Sequence, residues 1–250
     1  MTPLLSFAII SVAVFITSFI SGILGMAGGM ILMGVLLALM PVPAAMMLHG
    51  VAQLAANGWR AWLWRHEIDW RVFRGNAYGS LVALGFFCAL QLVGSRPVVY
   101  LVLGVTPFIS YLLPEKLKLN VDRPGHPFVC GVVCTGLQLL SGVAGPLLDV
   151  FFLRSKMTRH RVVATKASTQ TMSHLLKILY FGFLLGTSQG RVEWWLALVM
   201  IAFAMAGTTC SRGVLERITD VNFRKWTRWT VTVIGLVYLG NGVSLLFANA

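Results

Sequence analysis

Three groups of residues in this chain could do chemistry. His49, Gln53 and Asn57 recur every four residues inside an apolar run and continue to Arg60, so they share one helix face. Lys166, Gln170, Ser173 and Lys177 form a second stripe, with Thr169 and His174 beside it. Asp149 stands alone in a short apolar piece. Ionisable groups at membrane depth are costly, and they face a water-filled path, a ligand or a partner. Lys177 could neutralise a small anion that Gln53, Asn57, Thr169 and Ser173 hydrogen-bond. Asp149, His49 and Lys166 are the candidates for carrying a coupling proton. Two other readings stand beside these. The stripes could be a hydrogen-bond seam that holds helices together, and Asp149 could form a structural ion pair with Lys166 or Lys177. Lys166 lies close enough to a basic loop to snorkel. Lys177 lies about four turns from that loop, too far to do the same.

Glycine clusters interrupt the apolar runs at two places. The first reads Ser21, Gly22, Gly25, Gly28, Gly29; the second reads Ser141, Gly142, Gly145, followed by Pro146. A helix that stops inside a bilayer frees backbone groups, which survive only where they line a cavity or meet a partner. The next helix then aims free N–H groups and a partial positive charge at that cavity, a setting for an anion. Gly25, Gly28, Gly29, Gly142 and Gly145 are therefore candidate substrate contacts. The competing reading is that they only let helices pack closely.

The elements that must position these groups follow from hydropathy. Hydrophobic types make up 57% of the 250 residues and charged types 11%, against roughly 25% charged in a soluble domain. At about 20 residues per span, the length predicts on the order of eight crossings and no separate soluble domain. Apolar segments are expected at 4–24, 30–40, 44–64, 75–93, 97–113, 127–140, 147–153, 162–185, 194–206 and 230–247. The fold class read from this pattern is all-α, a polytopic transmembrane helix bundle. Residues 1–113 form one unit, 114–126 a cytoplasmic linker and 127–250 a second unit.

The two units repeat one another. Aligning Gly25 with Gly145 pairs His49 with Thr169, Gln53 with Ser173 and Asn57 with Lys177. Each half then reads as a glycine-broken hairpin plus three spans. Most Lys and Arg fall in the loops at 60–74, 114–126, 154–161 and 210–228, which the positive-inside rule assigns to the cytoplasm. Both termini are then expected on the non-cytoplasmic side, in an inner (plasma) membrane. The pattern closes only if the two hairpins enter from opposite sides, so the repeats are inverted. Secondary transporters are often built this way, with the substrate where the breaks meet.

Several function classes drop out. The formal net charge of +12 belongs to loops beside apolar runs, a topology signal rather than a nucleic-acid surface. The signatures HExxH, GxSxG and GxxxxGK[ST] are absent from the sequence, and no enzyme is expected. Cys130 and Cys134 would share a helix face, but two thiols fall short of a metal site; no metal and no cofactor is expected. The partners expected are a small anionic substrate and the lipid bilayer, with the oligomeric state left open. A metal-cation carrier using Asp149 and His49, and a membrane scaffold without transport, are the rival readings.

The first glycine cluster with Pro41 and the segment Ala44–His49, and the second cluster with Ala164–Thr169, resemble the TauE/SafE sulfite exporter family, also called the toluene-sulfonate uptake permease family. The resemblance covers the chain's whole organisation. It implies a permease for sulfite, organosulfonates or related small anions, driven by a proton gradient or the membrane potential. Pro146 and Asp149 depart from the family's more glycine-rich second break.

Overall fold

The computed structural model describes residues 3–24, 26–109, 119–185, 194–215 and 220–248. Among them the regular structure is all helical: α1 (Pro3–Leu24), α2 (Met26–Leu39), α3 (Val42–Leu63), α4 (Trp70–Leu90), α5 (Arg96–Val105), α6 (His126–Ser141), α7 (Gly145–Phe152), α8 (Arg159–Leu179), α9 (Trp194–Cys210) and α10 (Asp220–Ala248). A π turn, Tyr180–Leu184, extends α8.

The boundaries correct several sequence expectations. The helix restarts at Met26, so Gly28 and Gly29 are helical residues of α2 rather than unwound backbone, and Gly25 lies outside the described residues. Gly145 and Pro146 likewise open α7, because proline fits the first helical turn, where its missing N–H has no acceptor to lose. Pro43 plays the same part in α3. α4 starts at Trp70 instead of residue 75, since the Asp69 carboxylate accepts from the N–H groups of Arg71 and Val72 and caps the helix. α10 begins ten residues earlier than hydropathy suggests, at Asp220. The expected connection at 187–191 and the first part of the 114–126 linker, residues 114–118, fall outside the described residues.

Among the described residues, one stretch, Trp226–Ala248, is by itself long and apolar enough to cross a membrane. Phe7–Ile23, Met26–Leu39, Arg96–Phe108, His126–Ser141 and Trp194–Cys210 are apolar but shorter. α3, α4 and α8 have 22, 21 and 21 residues, and polar stripes lower their hydropathy. Those stripes are buried: His49, Gln53, Asn57, Asn76, Ser80, Thr169, Ser173 and Lys177 all face the interior. The helices are thus apolar toward lipid and polar toward one another.

The main helix pairs are α4 with α6, α3 with α8, α1 with α9 and α5 with α10. Exchanging each helix for its counterpart 120 or so residues away maps this set of pairs onto itself. Glycines set the closest approaches. A Cβ at Gly131 would stand 2.0 Å from the Asn76 carbonyl, and one at Gly79 would stand 2.0 Å from that of Phe128. Gly207 meets the Phe15 carbonyl in the α1–α9 pair. Close backbone contact replaces the hydrophobic effect where the surrounding solvent is itself hydrocarbon.

Two ends of the bundle differ in chemistry. At one end Arg161 pairs with Asp69 at 3.1 Å, Trp64 stacks on His160, and Arg71 donates to the Asp122 carbonyl. Three of the basic stretches therefore meet on one face. At the other end Arg96 donates to the Met40 carbonyl at 2.9 Å. The α6–α7 hairpin returns to where it starts: the Val121 N–H donates to the Phe151 carbonyl.

Gly131→Ala is expected to lower the unfolding midpoint in detergent by the equivalent of about 1–3 kcal/mol, the cost of overpacking. Gly85→Ala, where a Cβ meets nothing within 4 Å, is expected to hold or raise it. A thermal-shift measurement of both variants checks the packing, and equal losses would contradict it.

Candidate functional site

The centre of the bundle is built on the second glycine break. α6 ends at Gly142, whose φ of 89° lies in the left-handed region and whose N–H donates to the Gln138 carbonyl at 2.8 Å. Glycine adopts that conformation without penalty. Space demands it too: a Cβ would come within 2.8 Å of the Met33 sulfur and 3.0 Å of the Met46 sulfur. Gly145 meets Met26 in the same way, at 2.6 Å. The second break therefore packs directly on α2 and α3 of the first half.

Stopping α6 leaves carbonyls without intrahelical donors. Lys177 supplies one. Its side chain is fully buried, and Nζ lies 3.1 Å from the Gly142 carbonyl and 2.7 Å from His49 Nδ1. On the far side of the ring, His49 Nε2 lies 2.9 Å from the Gly29 carbonyl. A carbonyl only accepts, so Nε2 carries a proton and donates it. Nδ1 of the neutral ring is then the acceptor for Lys177. The result is one continuous chain from Gly29 through His49 and Lys177 to Gly142, linking the two glycine regions and the two halves. His174 flanks it, its ring centroid 5.6 Å from that of His49.

Both of Lys177's partners are neutral. Among the described residues no carboxylate lies within ion-pair distance of it; Asp69 pairs with Arg161 and Asp149 with Lys166. A buried ammonium without a counter-charge is costly. Lys177 is set about 27 Å along α8 from Arg159 at 1.5 Å per residue, out of reach of the basic loops.

The remaining sequence candidates divide. Gln53 and Asn57 are buried on α3, where Asn57 Nδ2 donates to the Gln53 carbonyl and side-chain oxygen. Gln53 Nε2 has no partner and stands 3.6 Å from the place of a Cβ on Gly29. Gly28 packs against Thr17 and Ser21 of α1, which is helix packing. The Thr169 hydroxyl donates to the Lys166 carbonyl, and that of Ser173 to the Thr169 carbonyl. Asp149 is not the deeply buried carboxylate its apolar surroundings suggest. It is half-buried (38% exposed) and paired with Lys166 (25% exposed), so the structure joins these two and keeps them apart from Lys177.

A second polar chain went unread in the sequence. Thr135 donates to Ser80, which donates to Asn76 Oδ1, and Ser173 joins at 3.0 Å from Thr135. Gln138 lies one turn beyond Thr135 on α6. Asn76 and Ser80 stand four apart and Thr135 and Gln138 three apart, which is stripe spacing, but each pair is short and set among apolar residues. A small cavity of about 10 Å³ opens here, faced by Asn76, Gln138, Ala144, Thr169, Gln170 and Ser173. Cys130 and Cys134 share a face beside it, their sulfurs 3.9 Å apart. Among the described residues no group of three or more metal-ligating side chains occurs.

Apolar helices bury polar stripes toward one another, and Lys177 lies at their centre with two neutral partners. The chain belongs to the sulfite exporter TauE/SafE family, whose model matches residues 10–238. That family is one of membrane transporters. Comparison with curated proteins and with solved structures gives no match.

A double-mutant cycle tests the central contact. His49→Leu is expected to destabilise the protein by about 1–3 kcal/mol, the cost of an unmet buried polar group, and to cost less in a Lys177→Met background. A coupling of about 0.5–3 kcal/mol is expected from unfolding midpoints; strict additivity would mean that the two side chains do not interact.

Proposed function

We propose that this protein is a secondary transporter for a small sulfur-containing oxyanion, sulfite or an organosulfonate, and that Lys177 provides the positive charge that holds it. The observation that carries this reading is the fully buried Lys177 with two neutral partners. A cation so placed lacks a counter-charge, and an anionic substrate would supply one. Family membership supports sulfite and its relatives as the substrate class.

In this mechanism the anion reaches Lys177 from one side of the membrane, exchanges its hydration for the ammonium group and nearby donors, and leaves to the other side after the halves shift. Gln53 Nε2, which has no partner, is a donor within that neighbourhood. His49 Nδ1 is a basic nitrogen beside the ammonium, so a proton taken up with the anion would go there at the expense of the hydrogen bond from Lys177, and would leave again when that bond re-forms. The mirrored set of helix pairs supports the inverted-repeat construction, in which such an exchange of access is a rocking of one half on the other. The gathering of basic loops on one face supports their cytoplasmic placement and termini on the opposite side of an inner membrane.

Counterflow of labelled sulfite into proteoliposomes tests the proposal, with sulfonates, carboxylates and divalent cations as competitors. Sulfite or a sulfonate should exchange, and Lys177→Met should abolish the exchange while the protein stays folded. Asp149→Asn should be tolerated. Normal transport by Lys177→Met sinks the role of Lys177; exchange of a divalent cation that depends on Asp149 overturns the anion reading.

A further inference from the structure

Three residues with side-chain amides line the cavity at the second break, and one of them leaves a buried donor unused. Gln138 is 3% exposed, and its Nε2 has no partner. Asn76 is 2% exposed, and its Oδ1 accepts from Ser80 at 3.4 Å. Gln170 faces the same space. The hydroxyls that share the cavity have already given their protons away, Thr169 to the Lys166 carbonyl and Ser173 to the Thr169 carbonyl. What remains is the unpartnered Nε2 of Gln138, with Asn76 and Gln170 lining the same void of about 10 Å³, room for one oxygen-sized group. A buried amide left unsatisfied costs free energy, so Gln138 is poorly explained as packing.

Its position gives it a use. Along α8 the order from the basic end is Lys166, then Gln170, Ser173 and Lys177, all on one face. The cavity thus lies between the Asp149–Lys166 pair and the Lys177 centre. We propose that Gln138, with Asn76 and Gln170, forms a charge-neutral subsite that takes one oxygen of the oxyanion and determines which anions pass. This rests on the permease reading and adds a selectivity element to it. Lys177 attracts any anion; directional amide donors distinguish an oxyanion from a halide, and their spacing around a water-sized void distinguishes small oxyanions from one another.

The test is counterflow of labelled sulfite by the full-length protein in proteoliposomes, with chloride and acetate as competitors, for wild type, Gln138→Leu and Gln138→Glu. Gln138→Leu should raise the KM for sulfite roughly tenfold, the loss of one hydrogen bond to a charged group, and leave the maximal rate within about twofold. It should also let chloride compete better than it does in wild type. Gln138→Glu, which adds a repelling charge, should raise KM further. If Gln138→Glu does not fold, Gln138→Leu together with Asn76→Leu carries the test. Unchanged KM and competition in folded variants would mean that the cavity holds a structural water only, and the inference falls while the permease reading stands. If wild type exchanges no oxyanion at all, both fall.

Discussion

Lys177 holds its ammonium group between a histidine ring nitrogen and a backbone carbonyl, and the two halves of the chain meet through that contact. The lysine comes from α8, the histidine from α3, one carbonyl from the α6 break and the other from α2. Each of these groups is free to take part for a physical reason. Gly142's carbonyl is free because α6 stops there. His49 reaches Gly29 because α2 crosses α3 close to a glycine. Take away the ammonium and two buried polar groups lose their donor. A polar chain of this kind fixes the register between halves, and the proposed anion would meet it at a lysine that no carboxylate neutralises.

Glycine makes the arrangement sterically feasible in two distinct ways. At Gly142 the backbone itself is left-handed and wedged against two methionine sulfurs. At Gly131, Gly79 and Gly207 the backbone is ordinary helix, and the missing Cβ only lets a neighbouring helix come close. The first kind shapes the site and the second shapes the bundle that holds it. Methionines 26, 33 and 46 line the junction between the break and the first half; their unbranched, polarisable side chains fill irregular space well.

Much of this was legible in the chain itself. The all-helical bundle, the family and the polar stripes on α3 and α8 follow from hydropathy, spacing and the two glycine clusters. Helix starts were less legible, because Asp69 and the prolines at 43 and 146 act as local start signals inside stretches that hydropathy treats as loop. His49 and Lys177 both stood out, but not as partners: spacing along one helix shows which residues share a face, while contact between helices depends on crossing angle and on glycines that set their separation. The pairing of Asp149 with Lys166 was one of two open pairings for the same reason. Asn76, Ser80, Thr135 and Gln138 escaped notice because each helix contributes only two of them. Their meaning lies in the meeting of α4, α6 and α8, which no single stripe displays.

Restoring the charge at Lys177 by chemistry tests its role most directly. In a Lys177→Cys variant with Cys88, Cys130, Cys134 and Cys210 replaced by alanine, alkylation with 2-bromoethylamine rebuilds a lysine-like ammonium at that position, whereas iodoacetamide adds a neutral group. Labelled-sulfite counterflow should be absent from the unmodified variant, return after aminoethylation and stay absent after iodoacetamide. Transport by the unmodified variant, or equal recovery with both reagents, would contradict a site that depends on the positive charge of residue 177.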